Sequence, residues 1–411
     1  MLDDVDLTDL DRFAAGFPHD VFARLRREAP VWFHPPTRHT PGGEGFWVLS
    51  RHADVAAAAT DAATFSSATG PRDGGGTLLE DLPRAFAGVL LNMMDDPRHR
   101  RIRRLVTPAV GPRALAGMED ELRARAVAIV DAAAARGACD FPLDVAAELP
   151  LQAIARLLGV PQADRHRLFA WAQATLDYEG RDLGEQSPAS AAAATALQEY
   201  GTALIAEKRR TPGDDMLSAV VHGTVAAAEG VAGPPSEFEC LMFFNLLIAA
   251  GSETTRNSIA IGVAALAERP DDWRALADDA ALRPRAVEEI LRWASSTLYN
   301  RRTATRDVVL GDATIRAGDK VALWWASANR DEAVFAEPFR FDVRRDPNPH
   351  LAFGDGAHFC LGAGLARLEI RVLLDVLPDR FAAIELAGPI EWTRSNKHAG
   401  VRRMPVRFRL R

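Results

Sequence analysis

The most informative segment of this 411-residue chain is Phe353-Gly-Asp-Gly-Ala-His-Phe-Cys-Leu-Gly362. Its glycines allow the backbone to come close to a flat ligand. Cys360 stands just before the apolar-periodic run 361–377, which predicts a helix, so the cysteine is expected at a helix N-terminus. There the helix dipole and the free N–H groups lower the pKa of a thiol and stabilise a thiolate, which is a strong axial ligand for heme iron. A glycine-rich turn around a buried cysteine is the alternative interpretation.

A long apolar helix is predicted in the middle of the chain, over about residues 236–269. It begins with the capping box Ser236-Glu-Phe-Glu239 and stops before Pro270. In its middle stands Ala250-Gly-Ser-Glu-Thr-Thr255, where the glycine costs roughly 1 kcal/mol against alanine and a buried carboxylate costs more unless it is paired. Thr254 can also hydrogen-bond to the carbonyl one turn earlier and open the helix locally. Three features that disfavour a regular buried helix thus occur at one point, which favours a functional site. In the alternative interpretation, the glycine allows close packing of a neighbouring helix and the polar groups face water.

The remaining pattern predicts a mainly helical protein with a smaller β part. Alanine-rich amphipathic segments follow one another over residues 97–270, and strand-like alternation begins after Tyr299. Residues 31–34 and 45–50 predict a hairpin. Residues 66–92 contain three consecutive glycines and little periodicity, which is typical of a long loop with a functional or mobile role.

Three motifs resemble those of the cytochromes P-450. The heme-binding signature of that family is matched by Phe353, Gly354, Gly356, His358, Cys360 and Gly362. The segment Ala250-Gly-x-Glu-Thr254 resembles its oxygen-activation motif. Glu289-Ile-Leu-Arg292 resembles its Glu-x-x-Arg motif, with Arg340 as the expected third partner in a buried structural network. The motifs follow the family's order and spacing, and the resemblance covers about residue 20 to the end, closest to soluble bacterial members.

This resemblance implies the cytochrome P-450 fold, a triangular, mainly α prism with a smaller β part. Residues 1–411 are expected to form a single domain with heme b (iron protoporphyrin IX) between the central helix and the loop 353–362. The implied iron ligand is Cys360. Thr254 would hold a water and direct protons to the reacting oxygen, and Glu253 would supply protons from solvent. The implied cationic partners of the two heme propionates are His99, Arg103, Arg302 and His358.

The resemblance also implies a substrate pocket over the heme. Expected lining residues are Met93 in the loop 90–94, Leu246, Ala249, Ala250, Leu298, Tyr299, Asn300, Lys397 and His398. Most are apolar, but many relatives have aromatic or aliphatic residues where Asn300, Lys397 and His398 stand. A buried ammonium or imidazole is costly without a partner. The hypothesis is therefore a polycyclic or terpenoid substrate whose polar or acidic end binds Lys397 and His398. In the alternative, Lys397 points outward and His398 is bonded to backbone.

Monooxygenase activity is what the resemblance implies for function. One atom of O2 enters a hydrophobic small molecule of the terpenoid, steroid, lipid or polyketide-like type, and the other leaves as water. Two electrons would come from NAD(P)H through a ferredoxin reductase and a ferredoxin, because the chain shows no flavin or iron–sulfur module before its end at Arg411. The alternatives are a peroxide-driven heme-thiolate enzyme, which would not need Glu253 and Thr254, and a non-catalytic heme-binding module.

Composition and charge argue against several other classes of protein. The balance of 49 basic and 56 acidic residues gives a net charge of −7, which argues against a general nucleic-acid binder. The sequence shows neither an apolar run of membrane-spanning length nor a signal peptide, so a cytoplasmic monomer is expected. Five arginines between Arg98 and Arg104 predict a docking surface for an acidic ferredoxin, with a solvated basic face as the alternative. Cys139 and Cys240 are expected in helices as small buried hydrophobes.

Overall fold

Helices form most of the protein. The computed structural model describes residue 2 and residues 4–176, 181–224 and 234–411. In chain order the helices are α1 (His19–Glu28), α2 (His52–Thr60), α3 (Arg98–Val106), α4 (Pro112–Arg136), α5 (Glu148–Leu158), α6 (Arg165–Leu176), α7 (Pro188–Arg210), α8 (Met216–Val221), α9 (Glu237–Ala267), α10 (Pro270–Asp278), α11 (Arg283–Ala294), α12 (Trp325–Ala328) and α13 (Ala363–Arg380). The mainly helical class and the helical stretch 97–270 are confirmed.

A smaller β part flanks the helices. Its strands are β1 (Val31–His34), β2 (Phe46–Leu49), β3 (Phe65–Ser66), β4 (Gly74–Gly75), β5 (Leu82–Pro83), β6 (Ala138–Asp140), β7 (Asn300–Ala304), β8 (Val308–Leu310), β9 (Ala313–Ile315), β10 (Lys320–Leu323), β11 (Phe381–Leu386), β12 (Glu391–Trp392), β13 (Val401–Arg403) and β14 (Pro405–Leu410). The main sheet has the order β1-β2-β10-β7-β3, with β10 parallel to β2 and antiparallel to β7. The predicted hairpin is confirmed as the antiparallel pair of β1 and β2.

The central helix α9 begins with the predicted capping box. The side chain of Ser236 accepts a hydrogen bond from the backbone N–H of Glu239, and the Glu239 side chain accepts one from the backbone N–H of Ser236. The helix ends at Ala267, three residues before Pro270, which begins the next helix. It stays helical through residues 250–255, so the polar motif does not break the helix.

The two glycines of α9 lie where neighbouring helices approach closely. A Cβ atom on Gly251 would stand 2.7 Å from Cδ1 of Ile154 in α5, and one on Gly262 would stand 2.7 Å from Ile290 in α11. Both distances are shorter than van der Waals contact, so a larger residue would push the helices apart. For Gly251 the close-packing interpretation is therefore correct.

Buried cations hold the long loop predicted over residues 66–92. The carbonyls of the consecutive residues 77–79 accept hydrogen bonds from Lys397 Nζ, Arg301 Nη1 and Lys320 Nζ, at 3.1, 3.3 and 3.0 Å. All three cationic side chains are buried. Charge-assisted hydrogen bonds are stronger than neutral ones, so this part of the loop is tied to the main sheet and to the C-terminal segment rather than mobile.

A buried ion cluster joins α11 to the segment that follows the main sheet. Glu289 and Arg292 are fully buried, and Arg292 Nε and Nη2 each lie 2.7 Å from a carboxylate oxygen of Glu289. The third charged partner is Arg345, whose Nε donates to Glu289 at 3.1 Å. The expectation that Arg340 fills this place is wrong. Its exposed guanidinium pairs with Glu337, and only its backbone carbonyl reaches Arg292, at 3.2 Å.

We expect Arg345→Met to lower the free energy of unfolding by about 2 kcal/mol, because the buried Glu289 carboxylate then keeps one cationic partner in place of two. The matched variant Arg340→Met should change it by less than about 0.5 kcal/mol, because that guanidinium is exposed. Urea denaturation of the two variants and the wild type measures both values. Equal losses for the two variants would contradict this assignment.

The two other cysteines differ in environment. Cys240 is buried in α9, as expected. The expectation of a helical position is wrong for Cys139, which lies on strand β6 opposite Val406 and is half-buried. Burial raises the pKa of the Cys139 thiol to about 12, so it stays protonated. Among the described residues, no helix is both long and apolar enough to cross a bilayer.

Candidate functional site

The loop 353–362 turns sharply before α13. Gly354 and Gly356 have φ angles of 70° and 68°, a region that favours glycine. A Cβ atom on Gly356 would stand 2.7 Å from the carbonyl oxygen of Ala59 in α2. This glycine is therefore needed for a close approach to a neighbouring helix, and the approach to a flat ligand stays a prediction. The backbone N–H of Cys360 donates to Phe353 at 2.9 Å and closes the loop.

Cys360 stands three residues before the first residue of α13, close to the predicted helix N-terminus. Its side chain is accessible, yet protein surrounds it closely enough that burial raises the pKa of the thiol. The Gly362 N–H group and the guanidinium groups of Arg103 and Arg367 oppose this rise. The expected lowering by the helix terminus is therefore outweighed by desolvation, and a bound metal cation would supply the missing stabilisation of a thiolate.

The donor set around Cys360 fits heme iron better than a bare ion. Within the ranges that the structure describes, no group of three or more His, Cys, Asp and Glu side chains could hold a metal ion. A bare ion needs several protein ligands. Heme iron already has four porphyrin nitrogens, so one thiolate at the axial position suffices.

Two arginine and two histidine side chains from three separate segments meet beside this loop. His99 and Arg103 come from α3, Arg302 from β7 and His358 from the loop, as predicted. The rings of His99 and His358 lie 4.1 Å apart between centroids. Burial lowers the pKa of His358 to about 3, and the charges of Arg302, His99 and Arg103 lower it further.

The same cluster has unsatisfied polar groups. Burial lowers the pKa of Arg302 to about 10, and only Asp95 opposes this shift. The Nε2 atom of His99 is buried and has no hydrogen-bond partner among the described residues. Two arginine cations beside an unused histidine nitrogen fit a ligand that carries carboxylates. The residues present therefore fit the two propionates of heme b.

One stripe of α9 is left uncovered by the protein. Leu246 and Thr254 are half-buried and Ala250 is exposed, at intervals of four residues that place them on one face. Thr254 Oγ1 donates to the carbonyl of Ala250 at 2.9 Å, as predicted. Leu361, directly after Cys360, packs against the same apolar cluster as Leu246. The stripe and the segment after Cys360 therefore border the same apolar cluster, and the half-buried Ala249 adjoins the stripe.

Glu253 is buried rather than open to solvent. Its side chain is 7% exposed, and its carboxylate lies 3.7 Å from Nη2 of Arg256, one turn later in α9. Arg256 is also buried, donates to the side chain of Asn257 at 2.9 Å and stacks over Phe169. A carboxylate that feeds protons from solvent must leave this ion pair. The sequence analysis missed Arg256, although its spacing of three residues from Glu253 was visible.

A second buried carboxyl group adjoins the oxygen-activation motif. Glu369 in α13 is 1% exposed and hydrogen-bonds with Thr255 of α9. Burial raises the pKa of Glu369 to about 8, so the group is mostly protonated at neutral pH. The sequence signal was an acidic residue on the apolar side of a helix, and the sequence analysis did not use it.

Lys397 does not match either interpretation offered from the sequence. It is buried, and Nζ donates to the carbonyls of Thr77 and Tyr299 and to the side-chain oxygen of Asn300, at 3.1, 2.6 and 2.7 Å. Burial lowers the pKa of Lys397 to about 7. The ammonium neither points outward nor has a donor left for a substrate carboxylate, which corrects the predicted anchor.

His398 matches the alternative interpretation, in which it is bonded to backbone. Its backbone bridges to Thr297, and its ring hydrogen-bonds with the backbone of Ser296. Burial lowers the pKa of His398 to about 3, so the ring is neutral. A neutral ring that is already bonded to backbone does not supply a positive charge for an acidic substrate.

Three other predicted pocket residues lie in the core. Leu298 and Tyr299 are buried in the apolar cluster that includes Trp324, and the rings of Tyr299 and Trp324 are 4.8 Å apart. Met93 is 5% exposed and lies under the loop at Gly76. Leu298 and Tyr299 therefore pack into this apolar cluster, and their expected place at the border of the pocket stays a prediction.

A thiol before a helix, an uncovered helical stripe that borders the same apolar cluster, and a nearby group of arginine and histidine side chains fit the class of heme-thiolate proteins. Comparisons with known proteins agree. A family model described as Cytochrome P-450 matches residues 281–405. The putative cytochrome P-450 126 of Mycobacterium tuberculosis is 50% identical over 410 residues, which are 99% of this chain and 98% of that protein.

Two further comparisons extend this likeness. The methyl-branched lipid omega-hydroxylase of Mycobacterium tuberculosis is 41% identical over 93% of this chain and 91% of its own. The solved structure of Mycobacterium marinum cytochrome P-450 CYP268A2 in complex with pseudoionone has a TM-score of 0.88 at 35% identity and covers 99% of both chains. The chain therefore belongs to the cytochrome P-450 family. It is a monooxygenase that binds heme b, with NAD(P)H as the indirect electron donor, and the predicted fold class is confirmed.

Proposed function

We propose that residues 1–411 form one catalytic domain that oxygenates a hydrophobic small molecule of the lipid, steroid or terpenoid type. The observation that carries this proposal is the uncovered stripe of α9 that ends at Thr254, together with Cys360, whose neighbour Leu361 packs against the same apolar cluster as Leu246 of the stripe. Heme b, when bound, supplies the activation of O2, so that one oxygen atom enters the substrate and the other leaves as water. The relatives named for lipid hydroxylation and for a complex with pseudoionone support this substrate class.

In this proposal Cys360 is the axial ligand. The reduced protein with carbon monoxide should show the red-shifted Soret band of thiolate ligation. Cys360→His should abolish that band, because imidazole replaces the thiolate. Cys240→Ser is the control and should keep it, because Cys240 lies buried in α9. A histidine-type band in the wild type would contradict the assignment.

The remaining site residues bind the cofactor and move protons. His99, Arg103, Arg302 and His358 would hold the propionates, because two arginine cations and two histidine rings converge there with a buried, unused His99 nitrogen. The Thr254 hydroxyl would orient a water molecule above the cofactor. Glu253 would deliver protons to that water when its carboxylate moves away from Arg256, which lies 3.7 Å from it.

Thr254→Ala should uncouple the enzyme. We expect electrons from NADPH to be consumed at a similar rate, with several-fold more hydrogen peroxide and correspondingly less product. Ser252→Ala is a matched control, because Ser252 makes the same bond to the carbonyl one turn earlier, at 2.6 Å, but lies on the buried face. The measurement is the ratio of product formed to NADPH consumed. Equal ratios in all three proteins would remove Thr254 from the mechanism.

A ferredoxin is the proposed electron donor, and it would dock on α3. Arg100 and Arg104 are exposed and lie four residues apart on one face of this helix. Two other arginines of the predicted patch are used elsewhere, since Arg98 pairs with Glu239 and Arg103 donates to the carbonyl of Phe359. The docking surface is therefore narrower than the five arginines predicted, and it adjoins the cysteine loop.

We expect Arg100→Glu to slow reduction by an acidic ferredoxin about tenfold at low salt, and rising salt to slow the wild type, because opposite charges speed encounter. Arg409→Glu is the control for charge alone, since Arg409 is exposed on strand β14, away from α3. Stopped-flow reduction in the presence of carbon monoxide measures the rates. Salt-independent reduction of the wild type would contradict this docking surface.

A further inference from the structure

The buried ammonium group of Lys397 determines how the side-chain amide of Asn300 is turned. Lys397 Nζ lies 2.7 Å from the side-chain oxygen of Asn300. Nζ faces three oxygen acceptors, and in its protonated form it has three donors and no lone pair, so the amide atom that faces it is the oxygen. The amide nitrogen of Asn300 therefore points away from Lys397.

The N–H groups of this amide nitrogen are available for a further hydrogen bond. Asn300 is half-buried, and its nitrogen donates to no acceptor among the residues that the structure describes. Lys397 has no N–H group left for a ligand, because the carbonyls of Thr77 and Tyr299 accept hydrogen bonds from its remaining two N–H groups. Asn300, and not Lys397, is thus the member of this pair that can bind a ligand.

Strand β7 turns Asn300 toward the cofactor side of the sheet. Successive residues of a strand point to opposite faces, so Asn300 shares a face with Arg302, roughly 7 Å along the strand. Arg302 belongs to the cation cluster, because its charge acts on His358. Arg301, between them, points to the opposite face and pairs with Asp81 at 2.7 Å.

The segment that carries Lys397 is joined to α9 near Thr254. The backbone of residues 397–399 pairs with that of residues 296–298. The hydroxyl of Ser296 lies 2.6 Å from that of Ser258, which donates to the carbonyl of Thr254 at 2.9 Å. The segment that leads into Asn300 is therefore joined to α9 at the end of the uncovered stripe.

Side chains of the stripe are apolar at Leu246 and Ala250. An oxygen acceptor that enters such surroundings loses its hydration and is strongly disfavoured unless a donor meets it. A site with a fixed donor then discriminates against the analogue that lacks the acceptor.

We propose that Asn300 donates a hydrogen bond to a carbonyl oxygen of the substrate, and that Lys397 is the positioning residue that holds the amide in the donating orientation. This inference rests on the proposed function and makes it more specific. The substrate class is a hydrophobic molecule with a ketone, ester or carboxylate oxygen, recognised by a neutral donor. This neutral donor replaces the positively charged anchor of Lys397 and His398 that was predicted from the sequence.

Pseudoionone, a ketone, and the hydrocarbon of the same skeleton without the carbonyl oxygen are the two probes. Equilibrium dissociation constants are measured for heme-loaded protein by absorption change and by calorimetry. The key variant is Asn300→Asp, which keeps an acceptor for Lys397 but has no donor. Asn300→Leu removes both groups, and Lys397→Met leaves the amide intact but free to rotate.

We expect the wild type to bind the ketone about tenfold more tightly than the hydrocarbon, as one hydrogen bond in an apolar site provides. Asn300→Asp and Asn300→Leu should abolish this preference by weakening ketone binding alone. Lys397→Met should reduce the preference several-fold. The double variant Lys397→Met, Asn300→Asp should lose no more of the preference for the ketone than the single variant Asn300→Asp, because the two residues act as one unit.

An unchanged preference in Asn300→Asp would overturn the inference, as would a wild type that binds both probes equally or binds neither. If Lys397→Met does not fold, Asn300→Asp still decides, because it retains the contact with the ammonium. The carbon monoxide spectrum of the same wild-type sample reports separately on the heme-thiolate site. A sample with the thiolate band and no ketone preference therefore refutes the role of Asn300 while leaving the proposed function intact.

Discussion

Positive charge buried at one edge of the heme site is the constraint on which the surrounding structure depends. His99, Arg103, Arg302 and His358 come from a helix, a strand and a loop that are far apart in the sequence. Burial lowers the pKa of all four, because each loses hydration. Such a cluster is costly for the protein alone and favourable around a dianionic ligand. Binding of heme is therefore coupled to the packing of α3, β7 and the cysteine loop.

Buried cations have a second role in this protein, which is to hold irregular backbone. Lys397, Arg301 and Lys320 bind three consecutive carbonyls of the loop at residues 77–79. Arg292 likewise binds the carbonyls of Asn329 and Pro338, each at 2.9 Å. Loops leave carbonyls without regular partners, and a buried carbonyl without a hydrogen bond is unfavourable. Cationic side chains with several donors satisfy these carbonyls and so fix the walls around the site.

The differences between expectation and structure have a common cause. Arg340 and Arg345 are five residues apart in one irregular segment, and the path of that segment decides which guanidinium reaches Glu289. Leu298 and Tyr299 are apolar or aromatic in a segment of the expected pocket, yet the local twist of the chain packs them against Trp324. Where no helical or strand period applies, residue type does not reveal the direction of a side chain.

Sequence alone determined the family, the central helix with its capping box, the cysteine before a helix and the four cations of the heme edge. These features depend on local periodicity or on motifs of fixed spacing, and such signals are present in the order of the residues. Tertiary structure alone decided that Arg345 rather than Arg340 pairs with Glu289, that Gly356 closely approaches α2 and that Lys397 donates to Thr77, Tyr299 and Asn300. The reason is physical: partners of a buried charge are chosen by contacts between segments up to about 320 residues apart, and only the folded chain brings those segments together.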